Sequence, residues 1–426
     1  MSKKVSIGAL FTLMAIVAAV TFSMTWIFSM NVFDDKMYNL KEREAIYSKL
    51  SEIDKIFRNN YAGEIDDKVL MDALSAGYAR GSGDAYARYY TAEAYQKESQ
   101  QAEGRIVGIG VVTEKDPSGY LVITDIYPGS TAESSGLQVG DLLIKIDDVE
   151  INAENSSQMQ ELLQGEAGTK IGLVYRRDNE DVTLPDGITR RHVDIPSVFP
   201  KTLADGIGYL RISDISDTTD EQFIKQLEKL INDGARSFII DLRGNGGGIF
   251  DSAVKILDRI LPSQPVVSAT YKNGRVEQFE TTDSKVLDMP IVILTNEKTA
   301  REAEIIAQVL KDYGKAKTVG TRTMGKGTKQ DTIKLTDGSA IMLTTAVYKT
   351  PNSDTFNLVG VKPDYEVKLS PDEEKNFAQL DENTDPQIKK AVEVVQSLLR
   401  ASDDQAANAG SDAASSDSSS ESSAAE

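Results

Sequence analysis

The sequence predicts a multi-domain α/β protein, and three observations along its 426 residues carry that prediction. A charge-free apolar run covers residues 5–33, short glycine-containing β runs begin at residue 104, and strands alternate with helices between residues 195 and 380. A chain of this length suits two or three domains that each bury a core. We therefore divide the chain into residues 1–36, 37–103, 104–184, 185–400 and 401–426.

The composition excludes several classes of site. The chain has no cysteine, which excludes thiol catalysis, thiolate metal sites and disulfides, and its single histidine excludes a multi-histidine metal site. The net charge of −19 argues against nucleic-acid binding, because phosphate contacts need clusters of lysine and arginine. No metal or organic cofactor is implied. His192 lies in a predicted strand leading out of a domain, and we expect a structural or solvated role for it.

Residues 1–36 are typical of a membrane anchor. Lys3 and Lys4 precede the apolar run, and two aspartates follow it. About 20 apolar residues span a bilayer, and flanking lysines favour the cytoplasmic side. We expect an uncleaved transmembrane helix at the cell membrane, with the bulk of the chain outside the cytoplasm. A cleaved signal peptide is the alternative, but its apolar region would be shorter and would end in a small-x-small site.

Residues 37–103 are predicted to be helical. Apolar residues recur at helical spacing over residues 40–57 and again over residues 66–79, before a glycine-rich break. Two roles fit this region equally well. It is either a spacer between the membrane and the rest of the chain or a self-association module, which would make the protein a homo-oligomer.

Residues 104–184 are predicted to form a small β domain, with strands near residues 107–112, 120–126 and 170–177 and a helix over residues 156–163. An ordered set of residues in this stretch resembles a PDZ domain: Gly108, Gly110, Gly136, Leu137, Gly140 and Asp141. In that family, the loop that corresponds to Gly108, Ile109, Gly110 and Val111 offers backbone N–H groups to the terminal carboxylate of a peptide. The resemblance implies binding of protein or peptide C-termini. The alternative is an ordinary small β domain with two glycine bulges.

Residues 195–380 are predicted to form an α/β core. Strands are expected over residues 206–212, 237–242, 290–294 and from 317, with helices over residues 219–233, 250–260 and 303–313 between them. Alternation of this kind is typical of a parallel sheet covered by helices, with functional loops at the carboxyl ends of the strands.

Two glycine-containing motifs stand in such loops. The first, DLRGNGGG at residues 241–248, lets backbone N–H groups face a ligand without side chains in the way. The second, GKGTKQ at residues 325–330, holds Lys326 between two glycines. A glycine turn near a lysine suits oxyanion stabilisation and proton transfer, provided that a hydroxyl nucleophile stands between them.

The motifs together resemble those of the C-terminal processing (tail-specific) peptidases, family S41, over residues 38–400. DLRGNGGG is similar to the family's D-L-R-x-N-x-G-G, and GKGTKQ to its G-K-G-x-x-Q. Residues 335–340, 344–346 and 361–364 match the strands that follow, and residues 385–387 match the start of the last helix. The resemblance implies a Ser–Lys endopeptidase in which Lys326 is the general base and Gln330 orients it. Gly247 and Gly248 fall in the oxyanion turn.

The chain departs from this family at the nucleophile. Where the family has S-A-S-A-S-E, with the middle serine reacting, this chain has TAREAE at residues 299–304, so Arg301 occupies the nucleophile position. Arginine is permanently protonated and cannot attack a carbonyl. Thr299 is the nearest hydroxyl, but two helical positions turn a side chain by roughly 200°.

Three functions follow from these observations. The first is a membrane-anchored homologue of these peptidases, outside the cytoplasm, that binds protein tails through the PDZ domain and has lost or impaired proteolysis. The second is an active endopeptidase with a serine- or threonine-type mechanism. The third is a non-catalytic scaffold for an active partner.

The composition of residues 401–426, almost wholly small, polar and acidic, predicts a disordered acidic tail.

Overall fold

The computed structural model describes residues 7–282 and 286–417. The chain divides into two compact units, Met1–Ser75 and Ala76–Glu426. The helices are α1 (Ile7–Asn60), α2 (Asp67–Gly81), α3 (Ala92–Glu103), α4 (Thr131–Ser134), α5 (Ser156–Leu162), α6 (Thr219–Asn232), α7 (Phe250–Asp258), α8 (Glu302–Asp312), α9 (Pro371–Lys375) and α10 (Pro386–Asp417). The strands are β1 (Arg88–Tyr90), β2 (Arg105–Gly108), β3 (Val111–Lys115), β4 (Leu121–Ile126), β5 (Leu142–Ile146), β6 (Val149–Glu150), β7 (Lys170–Ile171), β8 (Leu173–Arg177), β9 (Glu180–Thr183), β10 (Ile188–Thr189), β11 (Arg191–Asp194), β12 (Val198–Leu203), β13 (Ile207–Ile212), β14 (Ser237–Asp241), β15 (Pro265–Tyr271), β16 (Val276–Glu280), β17 (Ile291–Thr295), β18 (Ala316–Gly320), β19 (Thr328–Lys334), β20 (Ala340–Lys349) and β21 (Tyr365–Glu366).

The first unit is helical, as its periodicity predicts. The long helix α1 is followed by the start of α2, and Arg58 on α1 pairs with both Asp54 and Asp67. Within the described residues, no helix combines the length and the apolarity that crossing a bilayer requires. The membrane anchor predicted over residues 1–36 stays a prediction, and residues 1–6 of it lie outside the described part of the chain.

The predicted β domain is a six-stranded sheet in the order β3-β4-β5-β8-β9, with β6 pairing to β5. Its inward-facing side chains and those of α5 form one hydrophobic core that includes Ile123, Leu143 and Met159. The strand predicted over residues 120–126 and the helix predicted over residues 156–163 are confirmed to within one residue. The strands predicted over residues 107–112 and 170–177 are each divided into two, β2 and β3 and then β7 and β8, and the two members of each pair lie in different sheets. Strand β3 lies at the edge of this sheet, so its outer backbone groups are not part of a ladder on that side. His192 lies exposed in β11, which pairs with β2.

The α/β core contains a six-stranded sheet in the order β12-β13-β14-β17-β18-β21, parallel except for the edge strand β12. Successive residues of a strand point to opposite faces. Phe238 and Ile240 accordingly join the core formed with α6, α7 and α8, while Ile239 joins the core formed with α10. Since β14 and β17 are neighbours, the loops that follow Asp241 and Thr295 leave the same edge of the sheet.

A second sheet of the core has the order β1-β20-β15-β16, with β19 also pairing to β20. Strand β1 corrects the prediction that residues 37–103 are helical throughout. Arg88 and Tyr90 of β1 pair with Met342 and Ala340 of β20. Three residues are too few to show an alternating pattern, and the partner strand is far away in the sequence, so no local signal marks β1.

The predicted disordered tail over residues 401–426 is wrong for its first part. Helix α10 continues through these residues to Asp417, and residues 418–426 lie outside the described part of the chain. Extending an existing helix adds one hydrogen bond per residue without the cost of nucleation, and alanine is the best helix former. The several alanines between residues 401 and 417 explain why the helix does not end where the core ends.

Candidate active site

Arg301 sits in a sharp turn between strand β17 and helix α8. Its backbone has φ 56° and ψ −120°, a region that bulky L-residues avoid. In enzymes with a nucleophile elbow, a strained strand-to-helix turn of this kind exposes the reactive hydroxyl above the sheet. Strain of about 1–3 kcal/mol persists at such a turn only when the surrounding structure imposes it. The turn therefore has the form of a nucleophile elbow, and the side chain in it is a guanidinium.

The glycine turn of residues 244–248 packs directly against this elbow. A Cβ atom on Gly247, where φ is 88°, would lie 2.5 Å from Cβ of Arg301. On Gly248, a Cβ atom would lie 1.9 Å from the carbonyl oxygen of Ile215. Glycine is therefore required at both positions because the neighbouring chain approaches so closely. The structure thus brings Gly247, Gly248 and Arg301 together, as the motifs predict.

Both N–H groups of this turn already have acceptors. Gly247 donates to Oδ1 of Asn245 at 2.8 Å, and Gly248 donates to Oε2 of Glu302 at 2.7 Å. The Glu302 side chain is only 5% exposed, and Oε2 lies 3.5 Å from Nε of Arg301. A carboxylate therefore occupies a backbone donor that the motif assigns to an oxyanion.

Glu304 connects the elbow to the loop that carries Lys326. Its fully buried carboxylate accepts Thr323 Oγ1 at 2.5 Å and the N–H of Gly325 at 2.7 Å on Oε1. On Oε2 it accepts the N–H groups of Lys326 at 2.7 Å and Arg301 at 3.0 Å. Burial raises the pKa of the Glu304 carboxyl, and these four donors oppose that rise. Glu304 therefore positions the predicted base relative to residue 301.

The Lys326 ammonium lies in a half-buried environment with several charges around it. Its Nζ atom is 4.1 Å from the centre of the Tyr86 ring, a cation–π distance. The pKa of Lys326 is lowered to about 8, because burial and then the charges of Arg301 and Arg88 outweigh Glu302 and Asp84, which raise it. A lysine with this pKa has a substantial neutral fraction near neutral pH, which is what a general base requires.

The segment that carries Asp84, Tyr86 and Arg88 reaches the site by pairing with the second sheet. Asp84 accepts the backbone N–H of Thr344 at 2.6 Å and its hydroxyl at 3.0 Å. These bonds fix the residues that follow Asp84 beside Lys326. No local pattern indicates this contact, because it joins residues 260 positions apart.

Gln330 does not contact Lys326 through any hydrogen bond recorded among the described residues. Its Nε2 atom donates to the carbonyl oxygen of Thr328 at 3.0 Å and to its hydroxyl at 2.6 Å. Its Oε1 atom is buried without a hydrogen-bond partner in the described part of the chain. The orienting role of Gln330 therefore stays a prediction.

The Thr299 hydroxyl is engaged elsewhere. It is fully buried, donates to the carbonyl oxygen of Leu242 at 2.8 Å and accepts the N–H of Asn296 at 3.0 Å. These bonds hold the loop after β17 against the loop after β14. The geometry therefore assigns Thr299 a structural role.

Two residues of this site, Glu302 and Glu304, are absent from the set of site residues predicted from sequence. The pattern S-A-S-A-S-E could have drawn attention to Glu302, since it has alanine at that position. Glu304 matches the final glutamate of the pattern, but only the structure reveals its four donors.

The predicted peptide-binding loop of the β domain connects β2 to β3. Gly108 ends β2, Val111 begins β3, and Ile109 and Gly110 form the connection, with φ 82° at Gly110. A groove of 180 Å³ runs between this connection, edge strand β3 and helix α5. It is lined by Ile106, Ile109, Gly110, Val111, Val112, Thr113, Tyr127, Gln160, Leu163 and Gln164.

Helix α5 and the residues that follow it already bond to the backbone along this groove. The N–H of Ile109 donates to the carbonyl oxygen of Leu163 at 3.1 Å. Nε2 of Gln160 donates to the carbonyl oxygen of Thr113 in β3 at 3.0 Å. A peptide that adds as a strand to β3 must compete for groups of this kind.

Two parts of the chain match known protein families. Residues 206–367 match the model of Peptidase family S41, and residues 122–177 match the PDZ domain model. A carboxy-terminal processing protease, CtpA, of Bacillus subtilis is 27% identical over 404 residues, which cover 92% of this chain and 84% of that protein. A carboxyl-terminal-processing protease of Picosynechococcus sp. is 28% identical over 316 residues, covering 73% of this chain and 76% of that protein.

Two solved structures are also similar to this chain. A photosystem II D1 C-terminal processing protease aligns with a TM-score of 0.44 and 23% identity, covering 74% of this chain and 86% of that chain. An S41 protease of Bacteroides fragilis aligns with a TM-score of 0.47 and 19% identity, covering 81% of this chain and 97% of that chain. The family matches show that residues 206–367 are similar to peptidase family S41 and residues 122–177 to PDZ domains.

Proposed function

We propose that this protein captures the C-terminal tails of other proteins through its PDZ domain and cleaves them weakly or not at all. The observation that carries the proposal is Arg301 in the elbow, next to Gly247, where a peptidase of this family needs a hydroxyl. A guanidinium cannot act as a nucleophile, and Thr299, the nearest hydroxyl in sequence, donates to Leu242. The proposed capture of C-terminal tails rests on the PDZ match and on the groove beside β3.

The parts of a Ser–Lys mechanism other than the nucleophile support descent from an active enzyme. Lys326 has a pKa of about 8, so a neutral amine is available near neutral pH. Glu304 holds its backbone beside that of Arg301. An amine without a neighbouring hydroxyl has no proton to remove, so covalent catalysis stops before acylation.

Loss of proteolysis is tested with the full chain and an unstructured substrate such as β-casein. We expect no fragments above those of the Lys326→Ala variant, followed by gel electrophoresis and mass spectrometry. Steady cleavage that disappears in Lys326→Ala contradicts the proposal. In that case, Thr299→Ala establishes whether the threonine hydroxyl is the nucleophile, because only a catalytic Thr299 would lose activity in parallel with Lys326.

Tail capture is tested by fluorescence anisotropy with labelled peptides that end in a free carboxylate. Since PDZ loops bind that carboxylate, amidation of the peptide terminus should weaken binding by at least about tenfold, an energy of about 1.4 kcal/mol. The amidated peptide is the matched control because only the terminal charge differs. Equal binding of both peptides argues against capture by the loop of residues 108–111.

We also propose a location at the cell membrane, with the PDZ domain and core outside the cytoplasm. The support is the apolar run of residues 5–33 behind Lys3 and Lys4. Carbonate extraction of membranes and protease digestion of intact cells test it together. Release of the full-length chain by carbonate contradicts an integral anchor.

A further inference from the structure

The Glu302 carboxylate lies on the glycine turn itself. Oε2 of Glu302 accepts the N–H of Gly248 at 2.7 Å. A Cβ atom on Gly247 would lie 2.6 Å from the same oxygen, so this carboxylate is in contact with both glycines. Only 5% of the Glu302 side chain is exposed. The anion therefore occupies the turn from inside the protein and is shielded from bulk water.

A hydrogen bond and an opposite charge stabilise the Glu302 carboxylate in this position. A buried carboxylate is costly unless hydrogen bonds or an opposite charge compensate for its lost hydration. Glu302 has both, since Gly248 donates an N–H and the Arg301 guanidinium lies 3.5 Å away through Nε. Arg301 Nε is itself buried and makes no hydrogen bond in the described residues, so its contact with Glu302 is an ion pair. The two adjacent side chains thus neutralise each other inside the site.

A carboxylate in this place opposes acyl transfer even when a nucleophile is present. The tetrahedral intermediate carries a negative oxygen, which backbone donors must accept. Here the Gly248 donor is already used, and a fixed negative charge beside the developing oxyanion repels it. The pattern S-A-S-A-S-E has alanine at the position of Glu302, and an alanine side chain has no atom that can reach the donor. The chain therefore differs from that pattern at two adjacent positions, at the nucleophile (301) and at the residue beside the oxyanion donor (302).

We infer that Glu302 is a second block on proteolysis, independent of Arg301, because its carboxylate occupies the oxyanion donor of Gly248. The inference rests on the proposed loss of proteolysis and makes it more specific. It assigns the missing nucleophile to position 301 and the occupied oxyanion turn to position 302. Restoring a serine at position 301 therefore does not suffice to restore a peptidase.

Five proteins test this inference with the same β-casein assay: the wild type, Arg301→Ser, Glu302→Ala, Arg301→Ser/Glu302→Ala and Arg301→Ser/Glu302→Gln. We expect no cleavage by the wild type or by Glu302→Ala alone. The serine–alanine double variant should cleave about 100-fold faster than Arg301→Ser, the scale on which a single oxyanion donor contributes. Glutamine keeps a carbonyl acceptor for the Gly248 N–H but removes the negative charge, so the double variant with Glu302→Gln should cleave faster than Arg301→Ser and more slowly than the serine–alanine variant.

Equal rates for Arg301→Ser and both double variants overturn the inference, while Lys326-dependent cleavage by the wild type overturns the proposed function instead. A second measurement decides the case in which no serine variant cleaves. Hydrogen exchange of the Gly248 amide, followed by NMR, should be at least about tenfold faster in Glu302→Ala than in the wild type. The Gly247 amide, whose acceptor is Asn245, is the internal control and should not change. Unchanged exchange at Gly248 also overturns the inference.

Discussion

The backbone N–H groups of Arg301 and Lys326 donate to one and the same oxygen, Oε2 of Glu304, over 3.0 and 2.7 Å. The position of the nucleophile and the position of the base are therefore fixed by a single buried carboxylate. Such an arrangement makes their separation insensitive to motions of the exposed loops. It also fixes the geometry of the site independently of the side chain at position 301.

Replacing Glu304 with alanine should destabilise the core strongly. Four donors would lose their acceptor, and removing one partner from a buried charged network costs roughly 3–5 kcal/mol. Urea denaturation followed by circular dichroism measures the loss in free energy of unfolding. The matched control is Glu297→Ala, since that exposed carboxylate accepts only the Thr321 hydroxyl at 3.2 Å. A loss of less than about 1 kcal/mol in Glu304→Ala contradicts the stabilising role of the Glu304 carboxylate.

Neutralising the two charges beside Lys326 should move its pKa in opposite directions. Arg301 lowers the pKa of Lys326 and Glu302 raises it, so Arg301→Gln should shift it upward from about 8 and Glu302→Gln should shift it downward. NMR titration of the lysine Nζ resonance measures both. Shifts of the same sign in the two variants would show that a change of structure, and not the lost charge, dominates.

The depressed pKa of Lys326 also predicts a dependence of stability on pH. Between pH 8 and 10.5, the unfolded chain binds a proton at this lysine that the folded chain has released. Through this group, stability therefore rises with pH across that window and is lost again as pH falls through 8. Arg301→Gln raises the folded pKa and should reduce the rise, measured as the difference between urea midpoints at pH 7.5 and 10. An equal or larger rise in the variant is the contrary result.

The Tyr86 ring should favour the charged form of Lys326. Its centre lies 4.1 Å from Nζ, and a cation–π contact of this kind contributes about 0.5–1 kcal/mol at a partly exposed site. Tyr86→Leu should therefore lower the pKa of Lys326, whereas Tyr86→Phe keeps the ring and should leave it nearly unchanged. The same NMR titration distinguishes the two variants. Equal effects of leucine and phenylalanine would assign the role to the hydroxyl.

Arg243 should contribute far more to stability than another arginine that also pairs with the C-terminal region. Its guanidinium is buried and bonds to Asp241 and Asp385. Arg243→Met removes the cation that both buried carboxylates pair with and should lower the free energy of unfolding by roughly 3–5 kcal/mol. Arg236 pairs with Asp403 at the surface, with both side chains more than half exposed, and Arg236→Met should cost less than about 1 kcal/mol. Urea midpoints of the two variants give the comparison, and similar losses would contradict the buried network.

The features that sequence predicts best are those with a strong local pattern. The apolar runs of β14 and β17 mark buried parallel strands, and the amphipathic period of α6 marks its inward face. The glycines at 247 and 248 could be assigned to a turn because only glycine tolerates such close approach. Element bounds for these strands and helices agree with the structure to within about two residues, as local signals generally allow.

What sequence does not predict depends on partners far along the chain. The bond between Gly248 and Glu302 joins residues 54 positions apart, and the pairing of β1 with β20 spans a still longer separation. Glu302 is ordinary as a residue in the first turn of a helix, where carboxylates are favoured. Its effect on the site becomes visible only when the glycine turn is placed against it. Thr299 likewise carries no sign in the sequence that its hydroxyl is engaged by Leu242.

Helix α10 closes one face of the parallel sheet, with Ile388 and Val395 packed over Ile239 and Val292. This helix follows all strands of the sheet in the chain, so during synthesis the sheet stays uncovered on that side until α10 has left the ribosome. Exposed apolar strands of this kind are where nascent chains aggregate or engage chaperones. The core therefore acquires its native form only after α10 has emerged, and a chain that stops before Pro386 leaves this face of the sheet exposed.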